Sequence, residues 1–281
     1  MTKNLLPASD ELLVGAIQMV SSADVEENLK QASELIIEAA AKGCSLVVLP
    51  EYFCLFGNRD SDKLKIQETY GSGRLQDSLA KLAYIEKIHL VAGTIPLSSD
   101  EPKRVWNSSL VFNPEGNIIA RYDKIHLFSF SQDGESYDES RTLLAGNTPV
   151  SFEINNNSTA WRFGLSICYD LRFPELYREI GKVDCQIIPA AFTHTTGEAH
   201  WEILLRARAI ENQCYFLASA QGGTHGNGRR TWGHSLAVSP WGEIHECLDE
   251  GAGLIIAKLS KDHINDVRSK LPALQHRKQF K

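Results

Sequence analysis

The chain has 281 residues, 43% hydrophobic and 23% charged, which is enough apolar material for a sizeable core. Its net charge of -6 argues against a nucleic-acid partner, which calls for a basic patch. Six scattered cysteines without a CxxC pair and nine histidines without an HExxH pattern point to reduced, buried thiols and to no metal or cofactor.

The N-terminal stretch Met1 to Pro7 lacks a sustained apolar run. Neither a signal peptide nor a membrane span is expected there, and the cytoplasm is the expected location. An apolar run predicts a first strand over Leu12–Val20. A helix follows from Val25 to Lys42, with Val25, Leu29, Ala32, Ile36 and Ala39 on one face. Asp24, with Glu27 three residues on, suits its N-terminus, and Gly43 closes it.

Further strands are predicted over Ser45–Glu51, Leu90–Leu97, Ser108–Asn113 and Ile118–Tyr122. Others follow over Trp161–Cys168, Gln186–Ala191, Tyr215–Ala220, His234–Ser239 and Gly253–Leu259. Asn113-Pro114-Glu115-Gly116-Asn117 and Ser239-Pro240-Trp241-Gly242-Glu243 read as hairpin turns. Strands alternate with helices early and with hairpins later, so the class is α/β with mixed sheets. The ends and two stretches, Ser129–Asp138 and Gly222–Arg230, read as loose loops. No repeat or linker divides the chain, so one domain over residues 1–281 is expected, with its core over about 12–276.

Three charged or nucleophilic residues stand where strands end. Glu51 closes Ser45-Leu46-Val47-Val48-Leu49-Pro50, and Lys124 follows Ile118 to Asp123. Cys168 lies between the strand ending at Ile167 and a helix opening at Pro174. A thiol at such a junction faces backbone N–H groups that favour its charged form. A carboxylate, an amine and a thiol so placed would supply a base, an oxyanion-stabilising cation and a nucleophile, with the Tyr169 N–H as a second oxyanion donor. Arg172 suits a substrate carboxylate, or equally an ion pair with Asp170 or Glu175. His126 reads as a polar residue at a strand end. In the helix Ala199 to Gln213, Arg208 shares a face with Trp201, Leu204 and Leu205; a buried guanidinium needs a carboxylate, and Glu211 is one turn on.

Taken together, Leu-Pro-Glu51-Tyr-Phe, Tyr-Asp-Lys124-Ile-His-Leu-Phe and Ile-Cys168-Tyr-Asp-Leu-Arg-Phe-Pro-Glu resemble the three motifs of the nitrilase (carbon–nitrogen hydrolase) superfamily, in that family's order. The resemblance runs from about Leu13 to about His276. It implies a four-layer α-β-β-α sandwich and a Glu–Lys–Cys triad that hydrolyses a non-peptide amide, carbamoyl or nitrile bond. A further family carboxylate matches Glu139. Ser129 departs from the pattern, since many members carry an aspartate there.

The stretch His200 to Glu211, Gln221-Gly222-Gly223-Thr224-His225 and the ending Leu271 to Arg277 resemble the branch acting on deaminated glutathione. That implies cleavage to 2-oxoglutarate and cysteinylglycine, a small anionic amide as substrate, and a homodimer or higher homo-oligomer. Arg229 and Arg230 then stand as candidate clamps for a substrate carboxylate. The alternatives are an ω-amidase, an N-carbamoyl amidohydrolase, a non-catalytic scaffold and a thiol redox protein.

Overall fold

Alternation along the strands decides the layering. Leu46 and Val48 face one way, with Val14, Ala16, Val91 and Val111, while Val47 faces the other with Ile17, Leu90 and Leu110. Both faces of this sheet are therefore buried, which a period of two requires when neighbours are all apolar. One face meets the helices Val25–Ala41 and Arg74–Glu86 through Ala32, Ile36, Leu75 and Leu79. The other meets a second sheet carrying Phe163, Leu165 and Leu217, whose far side packs helices Pro174–Ile180 and His194–Asn212. The result is an α-β-β-α sandwich.

This computed structural model describes residues 10–132, 135–156 and 159–278. The reading of Met1 to Pro7 lies outside them. In the first sheet the order is Gly253–Ser260, Glu11–Gln18, Leu46–Val48, His89–Val91, Val105–Phe112, Ile95–Leu97. Ile118–Asp123 also pairs with Val105–Phe112. In the second it is Val150–Asn156, Thr159–Leu165, Cys185–Ala190, Tyr215–Ala220, Ser235–Val238, Ile244–Leu248. Both mix parallel and antiparallel pairs. No helix among the described residues is long and apolar enough to cross a membrane.

The structure corrects several expectations. The predicted strand Leu90–Leu97 is two strands, His89–Val91 and Ile95–Leu97, broken at Gly93. There φ is +53°, and a Cβ would sit 2.1 Å from the Pro50 carbonyl oxygen, so only glycine fits. The two loose loops hold hairpins instead. Ser129–Gln132 pairs with Glu135–Asp138, setting Ser129 opposite Asp138, and Gly222–Thr224 pairs with Arg230–Trp232. Cys247 is exposed, unlike the other five cysteines, because its strand Ile244–Leu248 forms the sheet edge. The helix expected from Ala199 starts at His194, where the Thr193 hydroxyl accepts the Thr196 N–H at 3.3 Å.

Candidate active site

Two strands with parallel neighbours, one from each sheet, deliver Glu51 and the Cys168 thiol. Glu51 lies just beyond Leu46–Val48 and Cys168 just beyond Thr159–Leu165, at the carboxyl ends where an open sheet leaves a crevice. The Glu51 turn is held on several sides. Tyr52 is forced to φ +57°, and its N–H donates to Thr94 Oγ1 at 2.9 Å. Gln221 Nε2 donates to the Glu51 carbonyl at 3.1 Å and to Ser21 Oγ at 2.8 Å, so the second sheet braces a turn of the first.

Lys124 follows Ile118–Asp123 and is fully buried. Its N–H donates to the Asn107 carbonyl at 3.0 Å, and its own carbonyl accepts from Gly146 at 2.8 Å. Its ammonium then bridges two carboxylates, Glu51 Oε1 at 2.9 Å and Glu139 Oε2 at 2.8 Å. Asn107 Nδ2 also donates to Glu51 Oε1, at 2.9 Å. Glu139 accepts in addition from the Tyr52 hydroxyl at 2.8 Å and the Phe128 N–H at 2.7 Å.

Cys168 opens the 3-10 turn Cys168–Arg172 with φ +48°, an uncommon value for a side-chain-bearing residue and one that aims the thiol away from the strand. The buried Asp170 carboxylate holds this elbow. It accepts from the Ile167 N–H at 2.8 Å, the Tyr122 hydroxyl at 2.7 Å and the His126 N–H at 3.0 Å. Cys168 is only 7% exposed and belongs to the core cluster, so it is both a junction residue and a packed one. Cys168 and Glu51 line the same pocket, where the Glu51 charge acts on the thiol.

The electrostatics divide the carboxylates. Burial raises Glu51 above the ordinary carboxylate value, and Lys124 only partly offsets it. Burial pushes Glu139 up too, but the Lys124 charge and the bonds from Lys124 and Phe128 outweigh it and leave Glu139 low. Burial presses Lys124 down, yet Glu139 and Glu51 hold it well above an ordinary lysine. Burial and the Glu51 charge keep the Cys168 thiol well above its usual value. Burial thus favours the neutral forms of Glu51 and the thiol, while Lys124 stays charged and Glu139 is favoured as the carboxylate.

Other expected residues fall as follows. Arg172 lines the pocket beside Cys168 and pairs with neither Asp170 nor Glu175. Its guanidinium faces His200 Nδ1 at 3.3 Å and lies over the rings of Tyr169 and Phe192 at 5.8 and 5.4 Å. His126 does not approach the thiol; its Nδ1 meets Asp170 at 2.7 Å and its ring stacks on Phe173. Arg208 is buried as expected, bonded to the Leu171 carbonyl at 3.0 Å and to Glu211 at 3.1 Å.

Arg229 and Arg230 line an outer cavity that shares Tyr52, Phe128, Glu139 and Thr193 with the Cys168 pocket. Both already have acidic partners, Asp60 at 3.0 Å and Glu250 at 3.2 Å. Tyr52, Asn107 and Asp170 escaped sequence reasoning as site-building residues. A polar Asn107 inside the apolar strand Val105–Phe112 was the available signal for one of them.

The fold is an α-β-β-α sandwich whose crevice gathers a thiol, an ammonium and two carboxylates. The carbon-nitrogen hydrolase family matches residues 13–269, and the chain belongs to it. A deaminated glutathione amidase from Synechocystis sp. is 41% identical over 269 residues, covering 94% of this chain and 97% of its own. The protein of that name from Homo sapiens is 36% identical, covering 95% and 82%. The crystal structure of the C. elegans NitFhit protein superposes with a TM-score of 0.87 at 34% identity, over 97% of this chain and 66% of that longer one.

Proposed function

We propose that the chain hydrolyses a linear amide through a Cys168 thioester, with Glu51 as base and Lys124 and the Tyr169 N–H as oxyanion donors. One observation carries this reading: a single buried ammonium clamped between Glu51 and Glu139, with Glu51 and the Cys168 thiol lining one pocket. As the sulfur attacks the carbonyl carbon, its proton passes to Glu51 and the carbonyl electron pair moves onto oxygen. Lys124 meets that oxyanion without leaving its carboxylates, so little reorganisation is needed. The tetrahedral species collapses, and the amine leaves with the proton held by Glu51. Glu51 then takes a proton from water, the hydroxide attacks the thioester, and the acid departs as the thiol re-forms. Glu139 keeps Lys124 in place.

The substrate of this reading is deaminated glutathione, released as 2-oxoglutarate and cysteinylglycine. The relatives' shared name supports it. So does Arg172 on one side of Cys168 and a cation-lined cavity on the other, since that substrate carries a carboxylate at each end. A homodimer and a cytoplasmic location complete the proposal. Ile203, Ile210 and Trp241 are all exposed on one flank, with the Trp241–Gly242 turn seated beside Ile210, and all six thiols are free.

The test is turnover of deaminated glutathione by the wild type and by Cys168→Ala, followed as 2-oxoglutarate release. The wild type should turn over and the alanine variant should fall at least about a thousandfold while keeping its melting temperature. Retained activity in Cys168→Ala would remove the thioester. A clear wild-type preference for a short ω-amide would move the assignment to ω-amidase.

A further inference from the structure

The outer cavity holds a half-buried cation that no described carboxylate meets at ion-pair distance. Lys63 sits in the 3-10 turn Asp60–Lys65 and reaches toward Tyr52, its ammonium 5.0 Å from that ring's centroid. Its one hydrogen bond among the described residues is a long one, 3.4 Å to Thr142 Oγ1. Most basic residues around it are matched, Lys65 to Asp62, Arg229 to Asp60, Arg230 to Glu250 and Lys124 to two glutamates, while Arg59 on the cavity rim is exposed to solvent and makes no ion pair among the described residues. No described carboxylate comes within ion-pair distance of Lys63, although Glu139 and Asp60 act on it from further off. Burial accordingly holds it below the ordinary lysine value.

A sheltered ammonium without a counter-ion costs stability, and a fold tolerates one where a ligand brings the missing charge. Lys63 lines the cavity that continues, past Tyr52 and Glu139, into the Cys168 pocket. Arg172 lines only the inner pocket, beside Cys168 and Phe192. The two cations therefore stand in different compartments, with the thiol in Arg172's. An acyl group held near the thiol leaves its amine half pointing outward, toward Lys63.

We propose that Lys63 determines specificity by binding the carboxylate of the leaving amine, and that Arg229 and Arg230, already paired with Asp60 and Glu250, do not. The inference rests on the proposed amide hydrolysis and selects among its substrates: linear amides whose leaving group is an amino acid or short peptide with a free carboxylate. Stacking on Tyr52 alone is the bland alternative, and it predicts no dependence on the substrate's charge.

The experiment is a cycle of kcat/KM values. Wild type, Lys63→Gln and Lys63→Arg are each assayed with deaminated glutathione and with the same compound bearing a terminal glycinamide in place of glycine. In the wild type, removing the carboxylate should cost about tenfold to a hundredfold, mostly in KM. In Lys63→Gln the free acid should drop by a similar factor, and the acid and amide forms should become nearly equivalent. Lys63→Arg should recover part of the preference for the acid. Equal losses on both forms in Lys63→Gln would assign Lys63 to structure and overturn the inference, while leaving amide hydrolysis standing. No turnover of either form by the wild type would instead reject the substrate reading on which it rests, and the inference with it.

Discussion

Glu51 and Glu139 share one lysine yet differ in what else they touch. Glu139 has both oxygens saturated by Lys124, Tyr52 and Phe128, whereas the bonds Glu51 accepts from Lys124 and Asn107 both fall on Oε1. Glu51→Gln should therefore stop acylation, because an amide cannot take the thiol proton. Glu139→Gln should slow it by about tenfold to a thousandfold by loosening Lys124. Rapid-quench detection of the acyl-enzyme separates the two, and an acyl burst in Glu51→Gln would take the base role from that residue.

The same pair sets a pH dependence. Protonating Glu51 removes the base, so kcat/KM should fall as pH falls through its folded-state value. Because burial raises that value, the acid limb should lie above the pH expected of a free carboxylate. Lys124 is held well above the ordinary lysine value, so it should stay charged through neutrality and add no limb there. A pH–rate profile flat down to ordinary carboxylate values would contradict the buried base.

Among elements, the helix His194–Asn212 is the one on which the elbow leans. Arg208 ties it to the Leu171 carbonyl, three residues past the nucleophile. Arg208→Leu strands that buried carbonyl and half frees Glu211, at a cost of about 2–3 kcal/mol. Denaturant unfolding should register the loss, and a change under about 0.5 kcal/mol would show the tie to be idle.

This helix also marks how far the sequence could be read. Its apolar stripe and the misplaced-looking arginine pointed to the ion pair with Glu211, and the strand-end positions of Glu51, Lys124 and Cys168 were equally plain in the sequence. The strands Val150–Asn156 and Ile244–Leu248 were illegible because polar and exposed residues break their patterns. The hairpins at Ser129 and Gly222 were missed because they are short and lie in stretches rich in polar residues or glycine. Asn107 and Tyr52 become site residues only through contacts across 56 and 87 positions, which no local window contains.

At the scale of the whole molecule, the exposed flank of Ile203, Ile210 and Trp241 carries the proposal of a homodimer. Ile203 is 69% exposed, so Ile203→Glu costs the monomer little while placing a charge in any apolar interface. Sedimentation should show a dimer for the wild type and a weakened one for the variant. A monomeric wild type would end that reading.

The shared lysine has one more consequence. Two carboxylates share one ammonium in the buried cluster, and a thiolate beside them would add a further negative charge. Burial and the Glu51 charge thus oppose a standing thiolate, the form that peroxides and stray electrophiles attack. Mass-spectrometric tracking of iodoacetamide should find Cys168 alkylated more slowly than a free cysteine at neutral pH; faster labelling would mean a standing thiolate. A nucleophile kept blunt until its substrate docks lets one protein copy survive many encounters with reactive small molecules.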